Sequence, residues 1–117
     1  MKKIYHLSTC STCQRIIKTL NPDDSVEMRE IKSNKITPQE LEQMKELSGS
    51  YESLFSRRAM KYRSMGLGDK DLKEEDYKNL ILEEYTFLKR PVIIVDNNIF
   101  VGSSKKMVEA AQQALNQ

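Results

Sequence analysis

The hydrophobic and polar pattern opens with a β-branched and aromatic run, Lys3–Leu7 (KIYHL), which predicts a short strand. Ser8 and Thr9 make a polar break, after which apolar positions recur at helical spacing: Cys13, Ile16, Ile17 and Leu20. Asn21-Pro22-Asp23-Asp24 predicts a turn, and Val26–Ile31 alternates as a second strand. Parallel pairing of the two strands across the helix makes a right-handed βαβ unit.

Thr37-Pro38-Gln39-Glu40 is a capping box with proline at the first helical position, so a helix is expected from there. Its buried face is Leu41, Met44 and Leu47, and Gly49 ends it. Ser50–Met65 predicts a broken helical stretch, with Leu54 and Phe55 inward and Arg57, Arg58, Lys61 and Arg63 on or near one basic run. Gly66-Leu67-Gly68-Asp69 reads as a loop. Tyr77, Leu80, Ile81, Tyr85 and Leu88 fall on one stripe of a further helix, read as core and not as a cofactor box.

Arg90-Pro91 then leads into Val92–Val95, an unbroken apolar strand suited to a buried position. Asp96-Asn97-Asn98 turns the chain into Ile99–Val101, so these strands form a hairpin. Gly102-Ser103-Ser104 opens a last helix that buries Met107 or Val108, Ala111, Ala114 and Leu115. The order is βαβ, three helical segments, then ββα. That is an α/β, thioredoxin-like fold with a helical insertion between its halves, over approximately residues 37–88 of a single domain 1–117.

Composition narrows the function classes. At 117 residues the chain is long enough for a core without staples. No apolar run approaches the ~18 residues of a membrane span, and the chain begins on a strand with no signal-like apolar region. A net charge of +2 gives no case for direct nucleic-acid binding, although 31% of residues are charged. Mean hydropathy is −0.62, as expected of a soluble protein. With no apolar stripe left over once the core is assigned, a monomer is expected.

The chemistry concentrates at Cys10-Ser11-Thr12-Cys13, which holds the only two cysteines and sits where the first strand gives way to the first helix. Cysteines this close cannot form a disulfide framework, which points to a reducing, cytoplasmic home. The spacing turns Cys13 toward the core and leaves Cys10 at the mouth of the helix. There, unpaired N–H groups and the positive end of the helix dipole favour thiolate over thiol. Ser11 and Thr12 add backbone N–H groups to an anion-binding helix end. Three readings stand side by side: a Cys-x-x-Cys thiol–disulfide site, in which Cys10 attacks and Cys13 resolves the mixed disulfide; a structural zinc site, for which only His6 adds a donor and no metal is expected; and two incidental buried cysteines.

Several pieces resemble the arsenate reductase (ArsC)/Spx family of thioredoxin-fold proteins. They are Ile4-Tyr5-His6 with a cysteine four residues after the histidine, the Cys10–Cys13 loop, Ser56-Arg57-Arg58 followed by Tyr62 and Gly66-Leu67, the strand Arg90-Pro91-Val92-Ile93-Ile94, and Val101-Gly102. They run in order over nearly the whole chain. The resemblance implies that Cys10 is the nucleophile, that His6 helps hold its thiolate, and that Arg90 binds an oxyanion. It also implies a cis Pro91 facing the active cysteine, with the Arg90 backbone pairing an incoming peptide or glutathione strand. Arg58 matches an arginine of the Spx branch, whereas Arg57 reads as part of a solvated helix face.

The sequence departs from the arsenate reductases where Ser56 and Ser103 stand in place of two anion-binding arginines. Each such loss removes charge-assisted bonds worth ~1.5–3 kcal/mol, which weakens the case for efficient arsenate reduction. Cys13 is a Spx-type feature. Spx proteins bind the C-terminal domain of the RNA polymerase α subunit, but they run longer at the C-terminus than this chain, which stops at Gln117 directly after its last helix. The expected activity is therefore an arsenate reductase-like thiol–disulfide oxidoreductase acting on a small thiol or oxyanion substrate. No bound cofactor is expected, and glutathione, glutaredoxin or thioredoxin is the electron donor. The alternative is a redox-switched regulator that binds RNA polymerase.

Overall fold

The computed structural model describes residues 1–116, and Gln117 lies outside them. In chain order the elements are β1 (Lys2–His6), α1 (Ser11–Leu20), β2 (Glu27–Glu30), α2 (Pro38–Ser48), α3 (Met60–Ser64), α4 (Glu74–Glu83), β3 (Val92–Val95), β4 (Asn98–Val101) and α5 (Lys105–Leu115). They fall into two compact units: Met1–Lys35 together with the segment from Arg90 onward, and Ile36–Lys89. The second spans the helical segments between the two halves of the βαβ…ββα order.

In the first unit the four strands form one sheet in the order β2-β1-β3-β4. β1 runs parallel to β2, with Ile4 opposite Met28 and His6 opposite Glu30. It runs antiparallel to β3, with Ile4 opposite Ile93. The β3–β4 hairpin turns through Asp96 and Asn97, with Asp96 at φ 54°, a left-handed conformation that aspartate tolerates better than most residues. This is the thioredoxin-like layout.

Ile4, Ile93 and Val95 gather on one face of the sheet with Ile16 and Leu20 of α1, Val26, and Ala111 of α5. Ile17, Phe100, Val108, Ala114 and Leu115 pack around that cluster. Complete burial of each aliphatic side chain stabilises by ~1.5–3 kcal/mol, so this layer anchors α1 and with it the cysteine loop. Of the two candidates in α5, Val108 packs inward and Met107 is left 38% exposed.

In the second unit α2 begins as its sequence predicts. The Thr37 hydroxyl accepts from the Glu40 N–H at 3.1 Å, and the Glu40 carboxylate accepts from the Thr37 N–H at 2.9 Å. The helix ends on Gly49 at φ 103°. The stretch read as a broken helix is more broken than expected: a 3₁₀ turn at Glu52–Leu54, a chain that leaves it extended at Phe55, and then the short α3. The Gly66–Asp69 loop tightens into a 3₁₀ turn that buries Leu67.

The stripe Tyr77–Leu88 does not stay on one helix. α4 ends at Glu83, Glu84 is extended, and Tyr85–Phe87 forms a 3₁₀ turn. Aromatic and β-branched residues there lower helix propensity, and packing decides the rest. Phe87 stacks on Phe55 with ring centroids 5.1 Å apart, while Leu88 forms an antiparallel bridge with Phe55. Ser56 N–H donates to Phe87 O at 2.7 Å, and Lys89 N–H donates to Leu54 O at 2.8 Å. Leu88 is thus core, as expected, but on an extended segment.

Candidate active site

α1 starts at Ser11 with Cys10 as its N-cap, extended at φ −90° and ψ 114°. The Cys10 N–H donates to Leu7 O at 3.0 Å, and the Gln14 N–H donates to Cys10 O at 3.0 Å, so the turn and the helix share this residue. The sulfur makes no side-chain cap hydrogen bond, and the first turn carries no acidic residue. The N–H groups of this helix end therefore favour negative charge beside them, on Cys10 or on an incoming anion.

Both cysteines are free thiols; Cys10 is half-buried and Cys13 fully buried. Their acidities are driven apart. Burial pushes the Cys10 thiol up, but the Cys13 backbone N–H, the Cys13 thiol, the Thr12 backbone N–H and the Arg90 charge together bring it below the ordinary thiol value. Cys13 is pushed up to about 11, first by burial and then by the charge and hydrogen bonding of Cys10, against the Leu7 backbone and Arg90. The surroundings thus favour the thiolate at Cys10 and the protonated thiol at Cys13.

Arg90, half-buried at the entrance to β3, contributes positive charge to both sulfurs. The Arg90–Pro91 peptide is cis, and the buried Pro91 accepts a hydrogen bond from the Gly102 N–H at 3.0 Å. Thr12 is half-buried and Ser11 exposed in the first turn of α1. His6 ends β1 half-buried, and it is not among the groups acting most strongly on Cys10. Ser103 is half-buried between β4 and the Ser104 cap of α5. Among the described residues no three His, Cys, Asp or Glu side chains gather as a metal site, and no helix is long and apolar enough to cross a membrane.

The structure therefore brings Cys10, Cys13, Thr12 and Arg90 together. Arg58 belongs to the second unit, where it is exposed. It lines a cleft of about 920 Å³ with Arg57, Tyr62, Arg63, Gly66 and Asp69. Arg57 is more than a solvated residue: it donates to Glu52 at 2.8 Å and to the Tyr77 hydroxyl at 3.0 Å, and lies 5.7 Å from the Tyr77 ring centroid.

One residue close to this loop escaped the sequence reading. Glu30, at the end of β2, accepts hydrogen bonds from Ser8, two residues before Cys10, and from Lys32 and Ser33 in the turn beyond. Its carboxyl is held down at about 2, chiefly by the Ser33 and Ser8 backbone N–H groups. The only signal in the sequence is a glutamate closing a parallel strand with serine three residues on, a carboxylate poised to cap its own turn.

Comparison with known proteins supplies a family. A family model described as the ArsC family matches residues 5–111. No protein of curated function matches the sequence significantly. Solved structures do. An ArsC family related protein from Bacteroides fragilis is 25% identical with a TM-score of 0.77, over 94% of this chain and 96% of that one. A protein of Streptococcus mutans UA159 described as a possible arsenate reductase is 26% identical with a TM-score of 0.69, over 90% and 92%. An arsenate reductase from Vibrio cholerae, 18% identical, shares the fold with a TM-score of 0.71 over 98% and 95%.

Proposed function

The chain belongs to the ArsC family, and from that membership and the Cys10–Cys13 pair we propose that it is a thiol–disulfide oxidoreductase with Cys10 as nucleophile and Cys13 as resolving thiol. The observation that carries this reading is the placement of the two sulfurs, Cys10 half-buried at the N-cap of α1 and Cys13 fully buried one turn on. That placement brings the Cys10 thiol below its ordinary value and pushes Cys13 up to about 11. A nucleophile has to be thiolate before its partner arrives; a resolving thiol has to keep its proton until then.

The Cys10 thiolate attacks one sulfur of a substrate disulfide. That S–S bond breaks, and the departing thiolate takes a proton from solvent. Once Cys10 is a mixed disulfide its charge is gone, which removes part of what holds Cys13 up. Cys13 then loses its proton, attacks the Cys10 sulfur and expels the second substrate thiolate. The substrate has gained two electrons, and the Cys10–Cys13 pair has become a disulfide. Two equivalents of glutathione, or one dithiol protein of glutaredoxin or thioredoxin type, return it to the reduced state, chemistry suited to the cytoplasm.

Arg90 and the Thr12 and Ser11 N–H groups hold the anionic part of the substrate, and His6 has an auxiliary part in stabilising the thiolate. Pro91 borders the same site, and the Arg90 backbone pairs an incoming peptide or glutathione. The exposed Arg58 guides anions. With Ser56 and Ser103 in place of arginines, small thiols and disulfides are better substrates than arsenate. The test is trapping: Cys13→Ser incubated with glutathione disulfide accumulates a glutathione adduct on Cys10, seen by mass spectrometry, whereas Cys10→Ser neither forms it nor turns over. Absence of the adduct contradicts the resolving role.

The juxtaposed cysteines also favour a second reading, a redox-switched binder of the C-terminal domain of the RNA polymerase α subunit. Oxidation of Cys13 would change the fully buried interior of α1. A pull-down with reduced and oxidised protein separates the readings: a switch binds in one redox state and shows no turnover.

A further inference from the structure

Glu30 stands opposite His6 where the parallel strands β1 and β2 both end. Its carboxylate joins the two loops that leave them. Oε2 accepts from the Ser8 N–H at 2.9 Å and the Ser8 hydroxyl at 3.1 Å. Oε1 accepts from the Lys32 N–H at 2.9 Å and from the Ser33 N–H and hydroxyl, both at 2.8 Å. A carboxylate has about four lone-pair sites, so these donors saturate it.

Ser8 is gripped from the other side as well. The Gln14 side-chain amide, in the first turn of α1, donates to Ser8 O, and the Cys10 N–H closes the turn on Leu7 O. The loop that delivers Cys10 is thereby fixed to the end of β2 and to the start of α1. Leu7, at the root of the loop, acts through its backbone on Cys13. A shift of Ser8 therefore moves the Cys10 sulfur relative to the helix end.

We propose that Glu30 is a positioning residue for Cys10: its carboxylate clamps the Ser8–Thr9 loop so that the Thr12 and Cys13 N–H groups and the Cys13 thiol stay aimed at the Cys10 sulfur. The proposal rests on the reading of Cys10 as the reactive thiol. The sign of one effect distinguishes a clamp from a bystander. As a bare negative charge Glu30 opposes a nearby thiolate, so its removal lowers the Cys10 midpoint. As a clamp, its removal raises it.

The experiment is the pH dependence of Cys10 alkylation by iodoacetamide, read by peptide mass spectrometry on the full chain. Wild type, Glu30→Gln and Ser8→Ala are compared, with circular dichroism to check folding. A glutamine keeps one acceptor oxygen and turns an NH₂ on the other donors, so it breaks one end of the clamp. Ser8→Ala loses only the hydroxyl bond and tests the same joint if Glu30→Gln does not fold. Glu30→Gln is expected to raise the Cys10 midpoint by about one pH unit, ~tenfold slower alkylation below it. Ser8→Ala moves it less, in the same direction. A Glu30→Gln midpoint that is unchanged or lower, with thermal stability reduced or not, overturns the clamp alone. A wild-type midpoint at or above the free-thiol value of about 8.5 overturns the reactive-thiol reading itself, and the clamp with it.

Discussion

Cys10 caps α1 and Cys13, three residues on, is fully buried in its first turn, where its thiol and its backbone N–H both favour the thiolate form of Cys10. One residue thus supplies both a side-chain and a main-chain donor to the thiolate while remaining too poor an acid to compete for the charge, at about 11. The difference arises from position alone. Cys10 caps the helix, and Cys13, one turn on, faces the sheet with Ile16 and Leu20.

Replacing Cys13 by alanine removes the thiol donor and leaves the two N–H groups. The Cys10 midpoint is expected to rise, yet to stay below the free-thiol value. Cysteine-specific alkylation across pH reads this directly. A fall in the midpoint would mean that the Cys13 sulfur opposes the thiolate.

Glu30 links the loop geometry to acid stability. Its native carboxyl lies at about 2 against an ordinary 4.5. A depressed carboxyl contributes stability that is fully present above its unfolded value and is lost as pH falls toward the native one. Urea midpoints of wild type and Glu30→Gln should therefore differ by a constant amount above pH ~5 and converge between there and pH ~2. A gap that persists unchanged to pH ~2 would show that the bonds do not depend on the charge.

Phe55 organises the second unit. It lies 5.1 Å from Phe87, 4.9 Å from Tyr77 and 6.0 Å from Tyr62, ring centroid to centroid. Phe55→Ala is expected to cost ~3–5 kcal/mol through lost burial and the cavity left behind, read by chemical denaturation. A cost under ~1 kcal/mol would mean that the site collapses and refills.

The sequence made the thiol pair legible because its signals are local. A strand, a polar break and helical spacing from Cys13 suffice to put one sulfur at a helix mouth and the other inside. The capping box at Thr37–Glu40 was legible for the same reason. What stayed hidden depends on contacts far apart in the chain. Glu30 meets Ser8 only through the register of two parallel strands, which no local pattern states. The helix expected through Leu88 stops at Glu83 because Phe87 stacks on Phe55, a pairing invisible to helical periodicity.

The most direct test of the central claim is the pair of alkylation midpoints in the reduced wild-type protein, resolved peptide by peptide. The account predicts that Cys10 titrates below the ordinary thiol value of about 8.5, while Cys13 stays unreactive until pH approaches about 11. Two midpoints together near the free value would contradict it, leaving the fold intact and the nucleophile without its activation.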